Sequence, residues 1–188
     1  MDLEKLLIKS TSEHAISSEE AQGLIQYGQG IIKKIVKGQT NLIDELFDVI
    51  TIVRKANLRE QMGMLEAVLD IQEPMTSALV IEIIASDWDQ LSAIMERVIS
   101  YALGVNWDVE GDLQEVAVNV LVNYLARHVQ ERSQLVMQIV KLLSSLIDGP
   151  VNHAWVSSVA KSGLAQVFPG PGALNKRIES YLSLSSSN

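Results

Sequence analysis

Apolar residues recur along this chain at three- and four-residue intervals, and the alternation expected of a half-buried strand is missing. The segment 112–128 shows the rule. Leu113, Val116, Ala117, Val120, Leu121, Tyr124, Leu125 and His128 fall on one helical face, and Val118, Val122 and Val129 widen it. What remains is a narrow polar ridge of Glu115, Asn119, Asn123 and Arg127. A helix apolar over so much of its circumference is packed on two sides. Segment 132–147 repeats the pattern with Leu135, Val136, Ile139, Val140, Leu142, Leu143, Leu146 and Ile147.

Breaks between helices are equally legible. Ser17-Ser18-Glu19-Glu20 is a capping box that opens a helix toward Lys37, with Gly38 as its stop. Asn41 opens 41–56, a third helix covers 58–72, and Pro74 suits the first turn of a helix through Ala85. Asp87 and Gln90 form a second capping pair, for 88–103, which Gly104 ends. Asp148-Gly149-Pro150 separates 132–147 from 151–167, and Phe168-Pro169-Gly170-Pro171-Gly172 isolates a last helix over 173–183. The expectation is a single all-α domain over 1–184 with a flexible tail at 185–188.

Taken in pairs, helices beginning near 41, 75, 112 and 151 are followed by partners near 58, 88, 132 and 173. Short connections make consecutive helices antiparallel neighbours. Two helices in about 35 to 40 residues is the period of helical-repeat solenoids, so the chain resembles a short HEAT- or armadillo-like stack of hairpins. Trp88-Asp89 and Trp107-Asp108 echo each other, but residue-level self-similarity is poor. An irregular bundle of eight or nine helices produces the same spacing and stays open as the alternative.

Composition narrows the function. The 188 residues are 47% hydrophobic and 20% charged, which excludes disorder over most of the length. There is no cysteine, hence no disulfide, thiolate metal site or cysteine nucleophile. Fifteen Lys and Arg against 23 Asp and Glu leave a net charge of −8, which opposes nucleic acid and anionic membranes over most of the surface. The acidic start Met1-Asp2-Leu3-Glu4-Lys5 lacks a secretory pattern, and no charge-free span reaches 18 residues; the cytoplasm is the default location.

Candidate chemistry is sparse. His14, His128 and His153 are scattered without the spacing of a metal motif, and His128 reads as a cap for the carbonyls ending 112–128. Gly23, Gly28 and Gly30 follow no strand and precede no Gly-Lys-Ser/Thr, so they read as a close helix crossing or a break in the 18–37 helix. Asn106, Asp108, Glu110 and Gly111 reproduce the first half of a calcium loop, but the twelfth position, where a bidentate glutamate belongs, is Ala117. The reading is therefore against calcium, with Asp108 or Asp112 capping the next helix. No cofactor is expected.

Two features point outward. Lys33, Lys34, Lys37, Arg54, Lys55 and Arg59 gather six basic residues within 27 positions, either one patch or separate helix C-termini. The row Glu115, Asn119, Asn123 and Arg127 keeps strict i+4 spacing on an otherwise apolar helix, and asparagine is a mediocre helix former. Trp88, Trp107 and Trp155 stand at helix starts as core anchors or binding hot spots.

These observations favour a non-enzymatic protein–protein interaction module with a protein partner, Glu115, Asn119, Asn123, Arg127 and Trp107 being its candidate contacts. A helical small-ligand binder, with a cavity near Phe47, Met62, Met64 or Trp155, is the alternative, and a helical enzyme with dispersed carboxylates is third. Self-association also fits the apolar excess, because stack ends must be capped. Leu3, Leu6, Leu7 and Ile8 are suited to one end and Leu174, Ile178, Tyr181 and Leu182 to the other.

Overall fold

Ser17 starts the first helix as its capping box requires. In the computed structural model the Glu20 amide donates to Ser17 Oγ at 3.2 Å while the Ser17 amide donates to Glu20 Oε2 at 2.9 Å. Helix α1 then runs Ser18–Val36 and buries Ala21, Leu24, Ile25, Gly28, Ile31, Ile32 and Ile35, a 3-4 repeat along one face. It stops in a Schellman turn. The Gly38 amide donates to the Ile35 carbonyl at 2.8 Å and the Gln39 amide to the Lys34 carbonyl at 3.1 Å, with Gly38 at φ 96°.

The structure describes residue 6 and residues 16–53, 58–71, 73–86, 92–109, 111–148 and 154–185. These are all helix, turn or loop, with no strand among them. After a 3-10 turn at Thr40–Leu42 come α2 (Ile43–Val53), α3 (Leu58–Leu69), α4 (Pro74–Ser86) and α5 (Ser92–Leu103). The remaining helices are α6 (Asp112–His128), α7 (Gln134–Ile147), α8 (Ala154–Val167) and α9 (Leu174–Ser185). Pro74 takes the first helical position of α4, and the Glu73 carboxylate before it accepts from the Thr76 amide at 2.7 Å. The capping pair Asp87/Gln90 and the end of the expected helix 41–56 lie outside the described residues, as do Arg54, Lys55, Trp88, Glu110, His14 and His153. So do Leu3, Leu7 and Ile8, and the side chains of Arg59 and Met62.

Two compact units form, residues 1–98 and 99–188. In the first, α1 packs against α2 and α3, and α4 against α2 and α3. Numbers rise together across the α1–α3 seam: Gly28 meets Met64 and Ile35 shares a hollow with Ile71, both 36 positions apart. Two antiparallel hairpins, α1–α2 and α3–α4, thus lie side by side with α1 beside α3 and α2 beside α4. The expected pairing of 41–56 with 58–72 is out of phase by one helix, because α1 supplies the first hairpin's opening arm. Helix α4 is deeply enclosed, with Ala78, Val80, Ile81, Ile83 and Ile84 all buried.

The second unit follows another plan. Helices α6, α7 and α8 pack mutually as a triangle, and α9 rests on α7. Expected hairpin 151–167/173–183 does not close, since α8 and α9 are not principal neighbours among the described residues. The turn after α8 leads the chain across: Phe168 is buried with its ring centroid 4.9 Å from that of Tyr181, and the Tyr181 hydroxyl donates to the Val129 carbonyl at 2.7 Å. The described helices are those of an irregular helical bundle, the alternative raised by the spacing.

Candidate functional site

The sequence-predicted row is set by α6. Leu113, Ala117, Val118, Val120, Leu121, Tyr124 and Leu125 are buried, which turns Asn119, Asn123 and Arg127 to the surface and leaves Glu115 half-buried. The row is therefore brought together by simple helix periodicity. Asn119 is partly engaged, since its Nδ2 donates to the carbonyl of Glu115 at 3.0 Å on its own helix.

Preceding α6, the loop holds its shape through internal bonds. The Asp108 amide donates to Asn106 Oδ1 at 3.0 Å, and Gln114 Nε2 donates to the Asn106 carbonyl at 2.8 Å. Asn106 is thus spent on an Asx turn. The expected side-chain cap from Asp108 or Asp112 is corrected: Gly111 is the N-cap, without a side-chain bond, and Asp112 is the first residue of the helix, where its charge complements the dipole. Gln114 is buried, a polar residue the apolar pattern concealed. Trp107 is half-buried and its Nε1 is buried without a hydrogen-bond partner. Among the described residues no group of three or more His, Asp or Glu is placed to hold a metal ion.

His128 also departs from expectation. Its ring stacks on Tyr124 with centroids 4.3 Å apart and its Nδ1 lies 2.6 Å from Glu131 Oε1, so it packs and pairs sideways instead of capping carbonyls. Met64 is fully buried with its sulfur against Gly28. Phe47 is half-buried, and Trp155 is 42% exposed.

Open apolar hollows lie elsewhere, along the seam of α1 and α3. A hollow of about 340 Å³ is lined by Gln29, Ile32, Lys33 and Ala67. One turn on, a second of about 490 Å³ is lined by Ile35, Val36, Ile43, Ile71 and Pro74 together with Thr40 and the acidic Asp70 and Glu73. Gln29, Ile32, Lys33 and Val36 fall at i, i+3, i+4 and i+7, so one stripe of α1 borders both. Val36 is 70% exposed, more than Val109, Trp155 or Leu184, the other exposed large apolar side chains among the described residues. The sequence did carry a signal for it: Val36 is the one aliphatic residue off the buried 3-4 repeat of α1, set between Lys33 and Lys37.

Charges on the two lips differ. On the α3 side, Asp70 pairs with Arg97, whose Nη1 lies 3.8 Å from Glu66. Glu73 accepts from both the amide and the hydroxyl of Thr76 at 2.7 Å. On the α1 side Lys33, Lys34 and Lys37 are exposed, and none pairs with a described carboxylate. A smaller hollow of about 200 Å³ lies between α7 and α9, lined by Ser144, Asn175, Ile178, Glu179 and Leu182. No described helix is long and apolar enough to cross a membrane. In comparisons with known proteins, no family model, no curated protein and no solved structure matches the chain.

Proposed function

We propose that the protein is a non-enzymatic interaction module that receives a segment of a protein partner along the α1–α3 seam. The observation that supports this reading is Val36, 70% exposed at the mouth of an open apolar hollow. Leaving a valine in water beside Ile35, Ile43 and Ile71 forgoes about 1 kcal/mol of burial that a partner's apolar side chain recovers. The stacked order of the α1–α2 and α3–α4 hairpins favours a short solenoid-like use of this unit, one row of helices forming the surface offered to the partner.

A second face has support of its own, the exposed Asn119, Asn123 and Arg127 of α6, with Glu115 and Trp107 toward its N-terminal end. Affinity capture from the native host separates the two faces when the recovered partner is then purified and titrated directly. Val36→Asp weakens that binding at least tenfold on the seam reading. Loss with Asn119→Ala/Asn123→Ala/Arg127→Ala moves the contact to α6, and undiminished binding by both variants overturns both faces. Sedimentation of the purified chain decides whether the partner is a second copy.

A further inference from the structure

The α1–α3 face carries both halves of a complementary contact. Its larger hollow has apolar walls in Ile35, Ile43, Ile71 and Pro74, and Asp70 and Glu73 line it with negative charge. Arg97 does not cancel that charge, because Asp70 and Glu66 share it, and the hydrogen bonds from Thr76 leave the charge of Glu73 in place. What fits such a hollow is an apolar knob flanked by cations. The same face holds one in Val36, 70% exposed, with Lys33 and Lys37 on either side of it in the chain. Lys33, Val36 and Lys37 fall at i, i+3 and i+4 on one face of the α1 end, and the lysines are exposed and pair with no described carboxylate. We propose that two copies of this chain dock on each other through the α1–α3 face, the Lys33–Val36–Lys37 stripe of each seated on the acidic side of the other. This inference rests on the interaction-module reading above and names its partner.

Register and symmetry select one arrangement. Helices α1 and α3 run parallel, and positions 36 apart stand level across the seam, as Gly28 does with Met64 and Ile35 with Ile71. The same offset sets Lys37 level with Glu73 and Lys33 within one residue of Asp70. A two-fold contact is isologous, so each patch must be its own complement. With the axis parallel to the helices, α1 of one copy lies over α3 of the other at the same level. Lys37 then faces the partner's Glu73 and Lys33 the partner's Asp70, and symmetry repeats both pairs. Val36 comes down level with the partner's Ile71, at the mouth of the acidic hollow. With the axis across the helices, α1 lies over α1 and lysine meets lysine, which like-charge repulsion opposes.

Size sets the strength of the contact. A net charge of −8 opposes the approach of two copies over most of the surface, and opposite lips reverse that opposition locally. Two helix widths by two to three turns cover on the order of 300 Å² per copy, well under the about 800 Å² of a standard stable interface. The dimer is therefore weak and concentration-dependent, with a Kd on the order of 100 μM.

The test is sedimentation equilibrium of the full chain from about 10 μM to about 1 mM. A reversible monomer–dimer equilibrium is expected. Val36→Asp and Lys33→Glu/Lys37→Glu should each weaken it about tenfold or more. Asp70→Lys/Glu73→Lys should do the same from the other lip. An equimolar mixture of the two charge-reversed chains should associate again, since each reversed lip then faces its opposite. Unchanged helicity by circular dichroism shows that the variants fold. Where Glu73→Lys disturbs the start of α4, Asp70→Lys mixed with Lys33→Glu gives the same test with one charge reversed per chain. A chain that stays monomeric at about 1 mM overturns the inference. So does a dimer that neither Val36→Asp nor Lys33→Glu/Lys37→Glu weakens, because it lies on another face. Loss with Val36→Asp but no response to charge reversal, or no recovery in the mixture, overturns the paired lips. The seam reading fails separately: it stands or falls on whether Val36→Asp weakens binding of a partner captured from the host.

Discussion

Among the described residues each unit keeps one glycine buried where helices cross, and the two glycines meet different neighbours. In residues 1–98, a Cβ added to Gly28 would lie 2.7 Å from Met64 Sδ and 3.1 Å from Val49 Cγ1. In residues 99–188, a Cβ on Gly163 would lie 2.4 and 2.6 Å from the two methyls of Val122 and 3.1 Å from its Cβ. A methionine end is adaptable, with three rotatable bonds. A valine in a helix is held in one χ1 rotamer and cannot step aside. The α1 crossing is thus a contact that repacks, and the α6–α8 crossing one that only helix displacement relieves. Helix α8 presents Val156, Ala160, Gly163 and Leu164 inward, two of them nearly without side chain, and that lets it wedge close to both α6 and α7. In the first unit α1, α2, α4 and α3 pack in a ring, and hollows open along its α1–α3 seam, which Val36 borders.

Substitutions break or sharpen this contrast, read by denaturant unfolding with hydrogen exchange to assign the loss to one unit. The largest loss is expected from Leu121→Ala, fully buried in α6, at about 2–5 kcal/mol. A loss below half of one kcal/mol would mean that α6 is not packed on two sides. Gly163→Ala should cost about 1–3 kcal/mol from overpacking even after the gain in helix propensity, with exchange accelerated in α6 and α8.

Tyr181→Phe comes next. Removal of the hydroxyl that donates to Val129 should cost about 1 kcal/mol and loosen α9 first. Burial raises the pKa of Tyr181 above 10.0, against a smaller lowering by Arg132. The neutral phenol is the form the fold prefers, so its contribution is complete below pH 10 and is lost as pH rises through the raised value. Tyr181→Phe should reduce the dependence of stability on pH in that alkaline window; an unchanged alkaline slope would show that Tyr181 does not govern it.

Gly28→Ala is expected to change stability by less than about 1 kcal/mol, because displacement of Met64 offsets the gain in propensity. If it costs as much as Gly163→Ala, the contrast between the crossings is gone. Gly30→Ala is the control: nothing lies within 4 Å of its added Cβ, so it should stabilise by about 0.5–1 kcal/mol.

Local signals in the chain predicted local structure well. Ser17 with Glu20, Pro74 at a first turn, Gly38 after a last turn, and α6 over 112–128 all act through bonds spanning a few residues. Helix period alone placed Asn119, Asn123 and Arg127 on one exposed row. The pairing of hairpins was misread because spacing is the same whichever helix opens the first pair, and α1 set the phase only by packing beside α3. His128 was misread as a cap because Glu131 and Tyr124 compete for its ring, and that competition is settled by distance in space.

The amino-acid order on its own determined an all-helical chain, where most of its helices begin and end, and which face of each is apolar. Those properties follow from capping, proline and glycine geometry and the 3.6-residue turn, all of which act over one or two turns of backbone. Only the tertiary structure decided that the helices form a ring in one unit and a triangle in the other. It alone showed that Gly163 faces Val122, and that Asp70 pairs with Arg97 while Lys33 and Lys37 pair with no described carboxylate. The physical reason is that packing distance and charge pairing depend on residues about 30 to 40 positions apart, and no local rule of the backbone fixes which of them meet.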